Sequence, residues 1–172
     1  MTYPETLVVR DEDAEIEFSY ADLTKYHGPG SPGGVAHAFK VLQRGLPLLE
    51  PNGLCERREV SVRTAFGGPG ARDAFEYALR AVTGERYVFD ASLERSDLPR
   101  TRARFVFRLT YRDRVAMLTL RDGFVTEEFL ELAGDDGLDS AEEAHLARLK
   151  LELAERLMRA PAVEVYDADA SS

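Results

Sequence analysis

The chain has 172 residues, a length that fits one domain with a sizeable core. Its net charge of −9 at pH 7 argues against a general nucleic-acid binder and against a protein that sits on an anionic membrane surface. A lone cysteine, Cys55, excludes an internal disulfide and a cysteine-rich zinc module, and no apolar run approaches the ~18 residues of a membrane span.

Met1-Thr2-Tyr3-Pro4-Glu5 is not a charged segment leading into an apolar run. No signal peptide is expected, and the chain reads as cytoplasmic. Leu7-Val8-Val9 and Ala14 to Phe18 read as short strands, joined by a turn at Asp11-Glu12-Asp13. Ala21 to Tyr26 fits a short helix, ended by Gly28 and Pro29. Next comes a glycine loop, Gly28-Pro29-Gly30-Ser31-Pro32-Gly33-Gly34.

The spacing of Val35, Phe39, Leu42 and Leu46 predicts a helix from about Gly33 to Leu46 with one apolar face. His37, Lys40 and Arg44 lie opposite that face, which makes His37 a solvated residue first and a ligand second. Pro47 and Pro51 should end the run. Cys55 has no basic neighbour beyond Arg57 and Arg58 and reads as a non-catalytic thiol.

Arg58 to Thr64 alternates, with Val60, Val62 and Thr64 on one face, as in a strand with one wet side. A second glycine turn, Gly67-Gly68-Pro69-Gly70, precedes a helix marked by Ala71, Phe75, Ala78, Leu79 and Val82 and ended by Thr83-Gly84. Arg86 to Asp90 reads as a short strand and Ala91 to Thr101 as a polar loop. Arg104 to Tyr111 and Arg114 to Leu120 read as longer strands linked by the tight turn Arg112-Asp113. Alternation places Arg104 and Arg108 on an outer face, to be neutralised by acids such as Glu59, Glu15 or Glu17, or used for a subunit contact or an anionic ligand.

Thr126 is positioned to cap a helix to Ala133. Ser140 and Glu143 have capping-box spacing before the last long helix. That helix carries two adjacent apolar stripes, Leu146-Leu149-Leu153-Leu157 and Ala147-Leu151-Ala154-Met158. One stripe packs on its own domain, and the other needs a second cover, either the first helices of the same chain or a second subunit. A homodimer is therefore expected. Pro161 stops the helix, Val163 to Tyr166 reads as a last strand, and 167–172 reads as a frayed tail.

The expected fold is α+β and two-layered. A helix, strand, helix and three strands form a core with a mixed sheet, helices pack on one face, and a further C-terminal helix is added. Residues 1–166 form one domain.

Tyr26-His27-Gly28-Pro29-Gly30-Ser31-Pro32-Gly33, followed by a helix, resembles the signature of the formylmethanofuran dehydrogenase E-type subunit family, whose usual form is Phe-His-Gly-His-x-Cys-Pro-Gly. The strand Val60 to Thr64, the second glycine turn and Arg72-Asp73 are similar to the family's next element. The resemblance covers about residues 20–120 and implies the helix-strand-helix-three-strand core and a zinc-associated site. Ser31 and Pro29 stand where the family has its cysteine and second histidine, and nothing between Thr64 and Asp73 replaces the second-turn cysteine. No tightly held zinc is expected; if one binds, His27 with Asp73 or His37 would hold it.

Independently of the family, a glycine turn at a helix start exposes N–H groups that favour an anion. The candidate ligand-binding residues are His27, Gly30, Ser31, Thr64, Gly68, Gly70, Arg72 and Asp73, with His27, Ser31, Thr64 and Asp73 expected to line one pocket. Each also has a purely architectural reading: glycines for tight packing, His27 as a helix C-cap, Asp73 as a partner of a helix dipole. Two classes stand open. One is a ligand-binding or assembly protein with a small-anion site. The other is a metal-dependent enzyme with His27 in its site.

Overall fold

The computed structural model describes residues 6–171, so the reading of Met1 to Glu5 lies outside it. Strands β1 (Thr6–Asp11) and β2 (Ala14–Ser19) form an antiparallel hairpin that makes a sheet of its own. Helix α1 (Tyr20–His27) starts on a reciprocal cap. The Ser19 hydroxyl accepts from the Asp22 amide, and the Asp22 carboxylate accepts from the Ser19 amide. It ends at Gly28, whose φ of 89° suits glycine.

Helix α2 (Pro32–Leu49) is the centre of the fold. It packs on α3 (Pro69–Leu79) and α6 (Ser140–Arg159) on one side and on the strands β5 (Val106–Tyr111), β6 (Arg114–Leu120) and β7 (Tyr166–Ser171) on the other. With β3 (Val60–Thr64) and β4 (Tyr87–Phe89) these strands make a five-stranded mixed sheet in the order β4-β3-β5-β6-β7. Only β3 and β4 are parallel. The α+β class, the mixed sheet and the order helix, strand, helix, three strands are as expected. Val60, Val62, Phe107, Leu109, Ala116 and Leu118 are buried on the helix side, while Arg63 and Arg108 are exposed on the other.

Several boundaries differ from the sequence reading. Helix α2 runs through Pro47 to Leu49. Near the end of a helix, a proline forfeits one hydrogen bond without stopping the run. Helix α3 ends earlier than expected, at Leu79, capped by Arg80, which adopts φ 56°. The Glu76 carboxylate accepts from the Val82 and Thr83 amides and turns the chain there. Residues Arg100–Ala103 form a short helix, α4, so β5 begins at Val106 and Arg104 lies before it. Helix α5 (Glu127–Ala133) does start on Thr126, whose hydroxyl accepts from the Phe129 amide. The cap of α6 is Asp139, one residue ahead of Ser140.

The largest correction is at 163–171. Ala162–Val165 is a helical turn, α7, and the strand comes after it. Residues read as a frayed tail pair antiparallel with β6 over Asp167 to Ser171. An open β6 edge supplies the hydrogen bonds, so small and acidic residues can complete a strand they would not form alone.

His37 and Lys40 were expected on a solvated face, yet they are 1% and 2% exposed. Packing on both sides of α2 leaves no wet stripe there. The second stripe of α6 is split: Ala154 is buried beside Leu153 and Leu157 of the first, Met158 packs on the core, and Leu151 is 57% exposed.

Candidate functional site

Two features occupy the region of the glycine turns. The first is a side-chain pair. His27 is the last residue of α1, and Asp73 lies in the second turn of α3. Nδ1 of His27 is 2.8 Å from Oδ2 of Asp73. An ionised carboxylate only accepts, so Nδ1 carries the proton in this bond. The imidazole side chain is 9% exposed and the carboxylate 34%. Nε2 of His27 is buried and has no hydrogen-bond partner among the described residues. A carboxylate bonded to one ring nitrogen fixes the tautomer and orients the ring, the arrangement used in proton transfer and in metal ligation.

The second feature is a cavity of about 320 Å³ where α2 and α3 begin. Ser31, Gly33 and Gly34 contribute one wall, and Gly68 and Pro69 another. Phe66, Phe105, Phe129, Leu130 and Leu146 supply an apolar interior, and Lys150 of α6 stands at its rim. The Lys150 ammonium also donates to the Gly30 carbonyl at 3.2 Å, which ties α6 to the first glycine loop.

The glycines bring the two helix starts together. A Cβ on Gly70 would lie 2.4 Å from the Ser31 carbonyl oxygen, and one on Gly34 would lie 3.0 Å from the Ala71 amide nitrogen. Around Gly30 there is open space. Thr64 is buried and structural: its hydroxyl donates to the Val106 carbonyl at 2.8 Å and accepts from the Phe66 amide at 3.0 Å. It thereby sets the chain direction that carries Phe66 into the cavity wall.

The expected residues therefore fall into groups. His27 and Asp73 meet directly. Ser31 and Gly68 line the cavity, which His27, Asp73 and Thr64 do not. Gly70 and Gly30 shape the turns, and Arg72 is exposed with its charge felt by Tyr87. The phenylalanines and Lys150 carry no local sequence signal for this cavity; they are far apart in the chain, and only the fold brings them together.

His37 lies behind this cavity. Its ring stacks on Phe105 at 4.6 Å and packs on Phe66 at 5.6 Å. Nδ1 is 2.7 Å from the Tyr166 hydroxyl. Burial lowers the His37 pKa from 6.5 to about 3, so the ring is neutral at ordinary pH. Among the described residues no group of three or more His, Cys, Asp or Glu side chains could hold a metal ion.

The arginines outside the sheet are mostly paired with acids or carbonyls. Arg112 meets Glu59 at 3.0 Å, Arg104 meets Glu94 at 3.5 Å, Arg100 meets Glu127 at 2.9 Å, and Arg102 donates to the Leu120 carbonyl. Among the described residues no helix is long and apolar enough to cross a membrane. No known family model and no curated protein matches this chain.

Proposed function

We propose that this protein is a ligand-binding module on a scaffold resembling the E-type subunit of formylmethanofuran dehydrogenase, and that it takes a small anion with an apolar body. The observation that carries this reading is the meeting of two helix starts and Lys150 around one phenylalanine-lined cavity. Helix starts and an ammonium favour negative charge, and the phenyl rings favour an apolar remainder. Calorimetry with phenyl phosphate and benzoate, set against neutral benzyl alcohol, tests it. Saturable binding of an anion that Lys150→Gln weakens about tenfold supports the reading. Equal binding of the neutral compound, or no binding of either anion, defeats it.

A second reading is favoured by the free Nε2 of His27 behind its bond to Asp73. In it the pair belongs to a metal-dependent enzyme of that family's kind, with His27 moving a proton. Zinc would enter here, but the donor set does not fit. One imidazole with a carboxylate on its other nitrogen falls short of the three protein ligands usual for catalytic zinc. His37 is taken up by Tyr166. Elemental analysis after zinc loading and desalting separates the cases: a stoichiometric ion lost in His27→Gln would restore metal chemistry to consideration.

The proposal extends to assembly and place. A homodimer would cover Leu151 on the exposed side of α6, and light scattering of wild type and Leu151→Glu tests that directly. A cytoplasmic setting suits the single free cysteine. Nucleic acid is not an expected partner at a net charge of −9.

A further inference from the structure

A second charged concavity lies at the opposite end of α3. Its volume is about 560 Å³, and it is lined by Arg58, Arg80, Thr83, Gly84 and Arg86. Among the described residues no acidic side chain lines it. In a chain of net charge −9, three guanidinium groups facing one open hollow call for a reason.

Part of the reason is architectural. Arg86 donates to the carbonyls of Val60, Leu79 and Arg80, closing the end of α3. Gly84 is required beside it, since a Cβ there would lie 2.9 Å from both the Arg80 carbonyl oxygen and a terminal nitrogen of Arg86. Architecture does not account for the other two. The Nε of Arg58 donates to Asp11, but its side chain is 59% exposed. Arg80 is exposed, and its guanidinium makes no hydrogen bond or ion pair with any described residue.

Two of the nearby acids are occupied. Asp11 is shared between Arg57 and Arg58. The Glu76 carboxylate accepts from the Val82 amide and from the amide and hydroxyl of Thr83. Arg57 reinforces the positive ground behind the hollow, bonded to the Ala78 and Tyr77 carbonyls. The left-handed φ of 56° at Arg80 makes it the turning point between α3 and the segment bearing Thr83 and Gly84.

We propose that the guanidinium groups of Arg58 and Arg80, with the charge of the carbonyl-bound Arg86 behind them, form a binding site for a small phosphate-bearing molecule. Guanidinium forks match the paired oxygens of phosphate, and several around one hollow select a doubly charged group over a single carboxylate. The site is separate from the cavity at the starts of α2 and α3 and shares none of its lining.

Titration calorimetry with inorganic pyrophosphate at low ionic strength tests the site. One saturable event is expected in the wild type. Arg80→Gln should weaken it about tenfold, and Arg58→Gln with Arg80→Gln about a hundredfold, because each charge-assisted bond contributes about one decade of affinity. Lys150→Gln should leave it unchanged, which separates this site from the cavity. Neither Arg58→Gln nor Arg80→Gln removes a backbone cap, and unchanged thermal unfolding of both variants checks that the fold is intact. Absence of saturable binding, or binding that the double substitution weakens by less than about tenfold, overturns the proposal.

Discussion

Tyr166 and His37 are 129 positions apart in the chain and meet inside the core, where the tyrosine hydroxyl and imidazole Nδ1 lie 2.7 Å apart. The bond fastens β7 to α2. Replacing Tyr166 by Phe keeps the ring contacts with Phe107 but strands the imidazole, whose Nε2 already lacks a partner among the described residues. A loss of ~1–3 kcal/mol is expected, the cost of a buried polar group left unpaired. Urea unfolding measures it, and an unchanged midpoint would mean that the bond contributes nothing.

The same imidazole makes stability depend on pH. Its folded pKa, about 3, lies below its ordinary 6.5. Between those values the unfolded chain takes up a proton that the folded one refuses. Stability is therefore full above pH ~6.5 and falls as pH drops toward ~3, by up to ~1.4 kcal/mol per unit. Aspartates held low by partners, such as Asp97 beside Arg95, add their own loss at lower pH. The His37 share is read as the difference in slope between wild type and His37→Gln from pH 6.5 to 5. Parallel slopes would remove His37 as the cause.

Gly70 and Gly30 should behave oppositely although both belong to the glycine turns. Gly70→Ala puts a methyl group 2.4 Å from the Ser31 carbonyl oxygen at the start of α2, so the helices must part. An overpacking cost of ~1–3 kcal/mol is expected. Gly30→Ala meets nothing within 4 Å and should stay within ~0.5 kcal/mol of wild type. Paired thermal melts decide, and equal effects would contradict the close approach.

Cys55 should be inert in the folded protein. Burial, and then the Glu50 carboxylate, push its thiol up to about 12. It is 2% exposed, with its sulfur 3.6 Å from the Leu46 carbonyl oxygen. A thiol reagent at pH 8 is expected to react only as fast as the protein opens, and at the rate of a free thiol in denaturant. Immediate stoichiometric reaction of native protein would rule this out.

Alternation in Val60, Val62 and Thr64 and the hairpin at Arg112-Asp113 were legible because they depend on local periodicity and turn chemistry. The pairing of His27 with Asp73 was within reach, since each lies beside a glycine turn that a helix start must approach. β7 was not legible: Asp167, Ala168, Asp169 and Ala170 have weak strand preference, and the cause of their pairing is the edge of β6. Nor was the burial of His37 and Lys40. Periodicity marks one apolar face of α2, while Ala36, Ala38 and Val41 blur the rest, and the second covering layer comes from α6, about a hundred residues on. The cavity's phenylalanines shared the same difficulty, for no spacing links Phe66, Phe105 and Phe129.

The central position of α2 has a consequence for how the chain reaches this state. An early helix whose neighbours include β6, β7 and α6 draws its burial from contacts of long sequence separation. Closing such large loops loses chain entropy before the contacts reward it, which slows folding relative to a bundle of adjacent helices. Until β7 arrives, the imidazole of His37 has no hydroxyl to meet and the edge of β6 stands open. Emerging chains would thus pass through a period when their most central helix is also their most exposed, and when chaperone protection matters most.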